Sequence, residues 1–432
     1  MPTRSLPDIL PDLLIALALA ACTIGLGYFV EQSSFSRIIA FYGPFYLLYA
    51  WVAARAPEGR LTYWIGVAVL LRGLLLFAMP ALSDDIYRFV WDGRLLANGY
   101  NPFEHLPSYY LEAGIEVRGI TERLYQQLNS PEYFTIYPPV AQATFALAAW
   151  LFPLSLAGSA LVMKTFLLAC ELGSLYLLWR LLDHFELPRT NVLLYALNPL
   201  IIVEITGNLH YEGAMIFFLL LSLWWLVQER WTRSAVAMAL SIASKLLPLM
   251  FLPFLIRRLG WRRSLRYFAV LGLALLLRFL PLANGVFFSN FGESLDLYFR
   301  KFEFNGSVYY LARWIGYQRV GYNLIFKLGP QLAMVTFFGI LFVAWLERDL
   351  RWRSLPARWL FAISLYLFLT TTVHPWYLGL PVVLCLFTPF RFPILWSGLI
   401  ILTYVNYSYD PYRENLWVVA LEYGLVFAYL AW

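Results

Sequence analysis

Apolar residues along this chain run in blocks rather than alternating or recurring at helical spacing. Blocks cover residues 13–30, 65–82, 214–227, 331–346 and 394–404, with others between them. Runs of this length are read as bilayer-spanning helices, because a helix needs about 20 apolar residues to cross the hydrocarbon core. The first block lacks both a strong basic leader and a small-x-small exit, and a second apolar block follows it closely. It is therefore expected to be a retained helix rather than a secretory signal. Residues 137–153 are bracketed by Pro138, Pro139 and Pro153, and the run is too short for a comfortable span. A partial or re-entrant helix is expected there. Residues 234–256 read as two short helices broken near Lys245 and Pro248.

The pattern predicts an all-α polytopic membrane protein with about 13–14 membrane segments, a single domain over residues 1–432. Composition agrees: 61% of the residues are hydrophobic and 13% charged, too few charges to cover a soluble body of 432 residues. Seventeen Trp and 29 Tyr, many near block ends, suit aromatic belts at the two interfaces. The three cysteines, Cys22, Cys170 and Cys385, sit inside apolar blocks without ligand spacing, which points to neither disulfides nor metal.

The net charge of +6 is explained by loops rather than by an anionic partner, so no nucleic acid is implied. Arginines cluster at 55/60, 180/189, 230/233, 257–266 and 348–358. The positive-inside rule puts these loops in the cytoplasm. Residues 83–136, 207–213, 283–322, 374–377 and 406–415 then fall outside.

Chemistry concentrates in the first outside segment, which opens Ser83-Asp84-Asp85-Ile86-Tyr87-Arg88 and continues through Trp91-Asp92-Gly93. If the stretch is helical from Asp85, then Asp85, Arg88 and Asp92 share one face, as in a juxtamembrane helix lying along the interface. Asp84 and Asp85 are either a helix cap paired with Arg88 or adjacent acids whose repulsion and desolvation raise one carboxyl and make a base or a metal ligand. Glu204, His210 and Glu212 form a second polar group. Without HExxH or paired-carboxylate spacing it reads as substrate positioning, and no metal or other cofactor is assigned. Lys245 is a cation inside an apolar block, either a functional group or a side chain snorkelling to the interface. Arg300, Lys301 and Arg313 are further outside cations. His374 and Trp376, in a tight Pro-Trp turn, are either ligands of a phosphate or sugar hydroxyl or interfacial aromatics. Residues 283–322, rich in aromatic, Asn and Gly residues, suit a sugar or lipid headgroup.

Asp84-Asp85-Ile86-Tyr87-Arg88, Trp91-Asp92-Gly93, Asn101-Pro102-Phe103 and Tyr137-Pro138-Pro139 together resemble the GT-C superfamily of integral membrane glycosyltransferases. So do Asn198-Pro199-Leu200 with Glu204, Gly207-Asn208-Leu209-His210, Ser244-Lys245-Leu246-Leu247-Pro248 and His374-Pro375-Trp376-Tyr377. The pattern is most similar to bacterial polyprenyl-phosphate-mannose-dependent mannosyltransferases, with a weaker similarity to the catalytic subunit of GPI mannosyltransferase I. The resemblance implies a GT-C-like bundle in a bacterial cytoplasmic membrane, with 83–136 as catalytic loop and 283–322 as substrate loop. It implies inverting transfer of a sugar, mannose favoured, from a polyprenyl-phosphate donor to a lipid or glycan acceptor on the extracytoplasmic face, among membrane lipids. The general base then falls on Asp84 or Asp85, with Arg88, Asp92, Tyr137, Glu204, His210, Lys245, His374 and Trp376 around the substrate. The competing classes are a transporter or flippase, which repeats and mid-membrane charges would mark, and a membrane O-acyltransferase, which would need an intramembrane His paired with Asn or Asp. Neither His184 nor His210 falls in such a setting, and no repeat is seen.

Overall fold

The computed structural model describes residues 6–112 and 114–432, with side chains at all of these except 6–9 and 297–299. Among the described residues it is helical throughout, with one isolated parallel bridge between Phe304 and Thr372. Leu10–Tyr28, Phe35–Arg55, Leu156–His184 and Ile325–Leu346 are each long and apolar enough to cross a bilayer. Arg189–Ala196 and Pro199–Gly207 form a further candidate span bent by 52°. Apolar helices of 10–17 residues, including Glu212–Val227 and Leu416–Ala431, fill in around them. The protein is an all-α polytopic membrane protein.

With little water to solvate a polar group in lipid, hydroxyls must find partners inside the bundle. Helix Phe35–Arg55 shows this, since Tyr42, Tyr46 and Tyr49 share one face. Their hydroxyls donate to the carbonyls of Ser397 (2.7 Å), Ile394 (2.6 Å) and Leu194 (2.8 Å). Helix Leu156–His184 has 29 residues and is about 44 Å long at 1.5 Å per residue, longer than the hydrocarbon core. It carries Glu171, which is fully buried, 3.1 Å from Arg72 and bonded by the Tyr195 hydroxyl at 2.6 Å. Lys164 on the same helix is also fully buried and donates to the carbonyl of Leu75 at 2.9 Å, closing the end of helix Leu61–Leu74.

Three features bear on the site. Helix Asp85–Ala97 lies against helix Pro139–Leu151, where Phe89 stacks on Phe145 at 4.6 Å. A Cβ on Gly93 would sit 2.3 Å from the carbonyl oxygen of Phe145, so glycine permits that approach. Pro139–Leu151, with 13 residues, is about 20 Å long, too short to cross the core. Helix Trp231–Ser244 ends at an extended Lys245, before the 3-10 turn Leu247–Phe251 and helix Pro253–Leu259. Segments 83–136 and 283–322 also dock on one another. Asn101 Nδ2 donates to the carbonyl of Leu282 (2.8 Å) and Asn290 Nδ2 to that of Phe103 (2.9 Å). Phe103 packs with Leu282 and Phe287 beneath them.

Candidate active site

Residues 202–210 organise the mouth of the bundle. Ile202–Gly207 is a π-helical turn, and Leu209 follows it with a positive φ of 66° although it is bulky and fully buried. Such a conformation costs on the order of 1–3 kcal/mol for a residue of this kind and persists only where its surroundings impose it. Here the surroundings are a set of polar bonds. Asn208 Oδ1 accepts the amides of Ala81 and Leu82, each at 3.1 Å, and its Nδ2 donates to Glu204 Oε2 at 3.2 Å. The Tyr404 hydroxyl donates to Glu204 Oε1 at 2.8 Å. Glu204 is thus buried and partnered, and it is tied to the chain just before Asp84.

From Glu204 a column of rings extends outward. His210 Nε2 lies 3.3 Å from Glu204 Oε2, and the His210 ring stacks on Trp376 at 3.8 Å. Trp376 stacks on His374 at 4.5 Å, and His374 on Phe304 at 4.8 Å. Burial foremost, then the neighbouring Lys245 and His210, push the His374 imidazole down to about 3. It is therefore neutral and can stack or hydrogen-bond but offers no positive charge. Phe304 reaches the column because the backbone around it is clamped. Its amide donates to the carbonyl of Thr371 (3.1 Å), its carbonyl accepts from Val373 (2.8 Å), and Asn305 Nδ2 donates to Glu422 at 3.0 Å.

Lys245 supplies the cation. Its ammonium pairs with Glu212, whose side chain is 1% exposed, and lies 4.8 Å above the ring of Tyr377. The lysine side chain itself is 29% exposed while its counter-charge is buried. Glu212 begins helix Glu212–Val227, where the helix dipole favours a negative charge.

The acids stand at the start of helix Asp85–Ala97. Asp84 precedes helix Asp85–Ala97 without capping it through its side chain, and the carboxylate has no hydrogen-bond partner among the described residues. Although the side chain is exposed, partial desolvation by the surrounding protein and then the charge of Asp85 raise its carboxyl above the ordinary value. Asp85 is engaged, its Oδ1 accepting from Asn129 Nδ2 at 2.9 Å. Tyr407 lies within electrostatic range of Asp85, Glu204 and Asp84 together, which makes one mouth of the acids and the column.

Not every expected residue is at that mouth. Arg88 Nε donates to Asp92 Oδ1 at 2.9 Å and Arg88 also bonds the carbonyl of Tyr133 at 3.0 Å. Asp92 Oδ2 accepts from Gln142 at 2.9 Å, and both charges are buried. This knot fastens residues 130–133 to the helix. Tyr137 packs edge-on against Phe89 at 4.8 Å, on the same inner side. Arg300 pairs with Asp296 at 2.7 Å, Arg313 pairs with Glu303, and Lys301 is exposed. Among the described residues no three His, Cys, Asp or Glu side chains gather to hold a metal ion. Tyr404, Tyr407 and Asn129 were not anticipated. The first two lie three apart at the end of an apolar block, and that spacing of hydroxyls was the available signal.

Residues 18–260 match the family described as alpha-(1->6)-mannopyranosyltransferase, N-terminal domain. That range holds Asp84, Asp85, Glu204, His210 and Lys245 but not the segment with His374, Trp376 and the two tyrosines. The chain is also similar to alpha-(1->6)-mannopyranosyltransferase A of Mycobacterium tuberculosis (strain ATCC 25618 / H37Rv), with 28% identity over 241 residues. That alignment covers 54% of this chain and 44% of the relative, so the chain matches less than half of the relative's length.

Proposed function

From the premise that the chain belongs to the alpha-(1->6)-mannopyranosyltransferase family, we propose that it transfers a mannosyl unit from a polyprenyl-phosphate carrier to a lipid or glycan acceptor. Transfer takes place on the extracytoplasmic face of the membrane within a GT-C type of bundle. The acceptor hydroxyl attacks the anomeric carbon, its proton passes to Asp84, and the bond to the carrier phosphate breaks with inversion. An alpha-linked product formed this way requires a beta-linked donor. The departing phosphate carries its own negative charge and needs a cation more than an acid, a role that falls to Lys245. The faces of Trp376 and His374 are taken up inside the column, so their partly exposed edges are what a sugar hydroxyl or phosphate oxygen meets, and Glu204 keeps His210 in the column. Asp85, held by Asn129, orients the turn from which Asp84 projects.

The observation that carries this reading is the unpartnered Asp84 carboxylate, with its raised proton affinity, within electrostatic range of Tyr407, whose ring lies 6.2 Å from Phe304 of the column. The test is transfer of radiolabelled mannose from polyprenyl phosphate mannose into membranes holding the wild-type chain, Asp84→Asn or Asp85→Asn at matched expression. Transfer that disappears in Asp84→Asn and survives in Asp85→Asn supports the assignment. Equal transfer in wild type and Asp84→Asn removes Asp84 as the base.

A further inference from the structure

The opposite end of the same helices holds a second polar recess that the reaction does not use. Pro375–Leu378 and Gly379–Cys385 lead from the aromatic column to residues 386–391, roughly 18 Å along helical backbone. The bent segment that carries Glu204 likewise starts at Arg189. Where these ends meet lies a cavity of about 460 Å³, lined by Asp349, Arg351, Arg353 and Arg391 and floored by Leu386 and Phe387. Three guanidinium groups therefore face one carboxylate, an excess of two positive charges.

These arginines differ from their neighbours. Arg258 and Arg358 share Glu347, which accepts from Arg258 at 2.6 Å through both oxygens and from Arg358 at 2.8 Å, so each has a carboxylate partner. In the recess, Arg351 takes Asp349 at 2.8 Å through two nitrogens, and Arg391 donates to the carbonyl of Cys385. Arg353 is exposed and has no partner among the described residues. Asn191 Nδ2 donates to the carbonyl of Leu386 at 2.9 Å, fixing the floor from the other helix end. Like charges held this close repel unless an anion sits among them, and planar guanidinium groups match phosphate oxygens. The arginine distribution assigns this end to the cytoplasm, where anionic lipids give the leaflet a negative surface potential. The exposed Phe390 beside the apolar floor favours an amphiphile over a free ion.

We propose that this recess binds the phosphate headgroup of an anionic membrane lipid at the cytoplasmic surface, through Arg351, Arg353 and Arg391, with the first acyl carbons against Leu386 and Phe387. The lipid would steady the inner ends of the two segments whose outer ends carry the candidate active site.

The test uses the full chain in neutral detergent, titrated with phosphatidylglycerol, with phosphatidylcholine and with inorganic phosphate, binding being read by native mass spectrometry. Phosphatidylglycerol is expected to bind in preference to phosphatidylcholine. Arg353→Ala should weaken it about fivefold, the contribution of one basic residue at an anionic surface, and Arg353→Glu further. Because Arg353 is exposed and makes no hydrogen bond or ion pair among the described residues, both variants should keep the wild-type melting temperature in phosphatidylcholine. Arg262→Ala, at another exposed arginine, should bind as wild type. Equal binding of the two lipids, unchanged binding in both Arg353 variants, or an equal loss in Arg262→Ala would each overturn the proposal. So would full competition by inorganic phosphate at concentrations comparable to the lipid.

Discussion

Asp84 and Asp92 stand on the same short segment, yet their surroundings are opposite. Asp92 is fully buried and receives Arg88 and Gln142, each at 2.9 Å. Asp84 is exposed, receives no hydrogen bond among the described residues, and has its carboxyl raised. A buried charge is tolerated only when paired, and Asp92, fully buried with its charge taken by Arg88, is closed off from a substrate. A carboxylate left without a partner where acid repulsion already operates has its capacity intact. The contrast separates charges that hold the protein together from a charge available to act on something else.

The strongest way to break this contrast is Asp84→Asn. Loss of a general base is expected to reduce transfer by about 10²–10⁴-fold while the melting temperature stays at the wild-type value. The mirror experiment is Arg88→Ala. It leaves Asp92 buried and uncompensated, so a loss on the order of 3–5 kcal/mol is expected in stability, read as a lower unfolding midpoint in detergent. If Arg88→Ala were instead stable and merely slow, Arg88 would belong with Asp84 and the division would fail.

Much of this division was beyond the sequence. The helix from Asp85, the shared face of Arg88 and Asp92 and the break at Lys245 follow from local periodicity and from proline, which act over a few residues. The partners do not. Gln142 meets Asp92 across 50 residues and Tyr404 meets Glu204 across 200. No local pattern announces a bond of that separation, so Arg88 and Lys245 looked equally available as cations. His374 read either as a ligand of a phosphate or sugar hydroxyl or as an interfacial aromatic, because its ring-stacked burial is a tertiary fact. The Asn101-Pro102-Phe103 motif could be quoted as part of a resemblance. Its work, docking residues 83–136 onto 283–322, needed both loops in place.

Lys245 offers a sharper cut through the mouth itself. Lys245→Gln alone strands the buried Glu212, so it should be made together with Glu212→Gln. The double variant removes a charged donor to phosphate, typically about 1.5–3 kcal/mol, so kcat/KM for the lipid-linked donor should fall by roughly 10–100-fold. Acceptor KM should change little. A loss confined to the acceptor would move Lys245 to the other substrate.

The smallest expected effect tests how Asp84 is tuned. Two causes raise its carboxyl, desolvation first and the charge of Asp85 second. A base works only when deprotonated, so transfer should rise with pH through the Asp84 titration, placing the acid limb of kcat/KM above the range of an ordinary carboxylate. Asp85→Asn removes the second cause and keeps the first. The limb should therefore move to lower pH while the plateau stays near wild type, because Asp85 is occupied by Asn129 rather than by substrate. A limb that stays in place while the plateau collapses would make Asp85 the base and Asp84 its neighbour. Because the two carboxylates are adjacent in the chain, the direction of the limb distinguishes them where loss of activity alone does not.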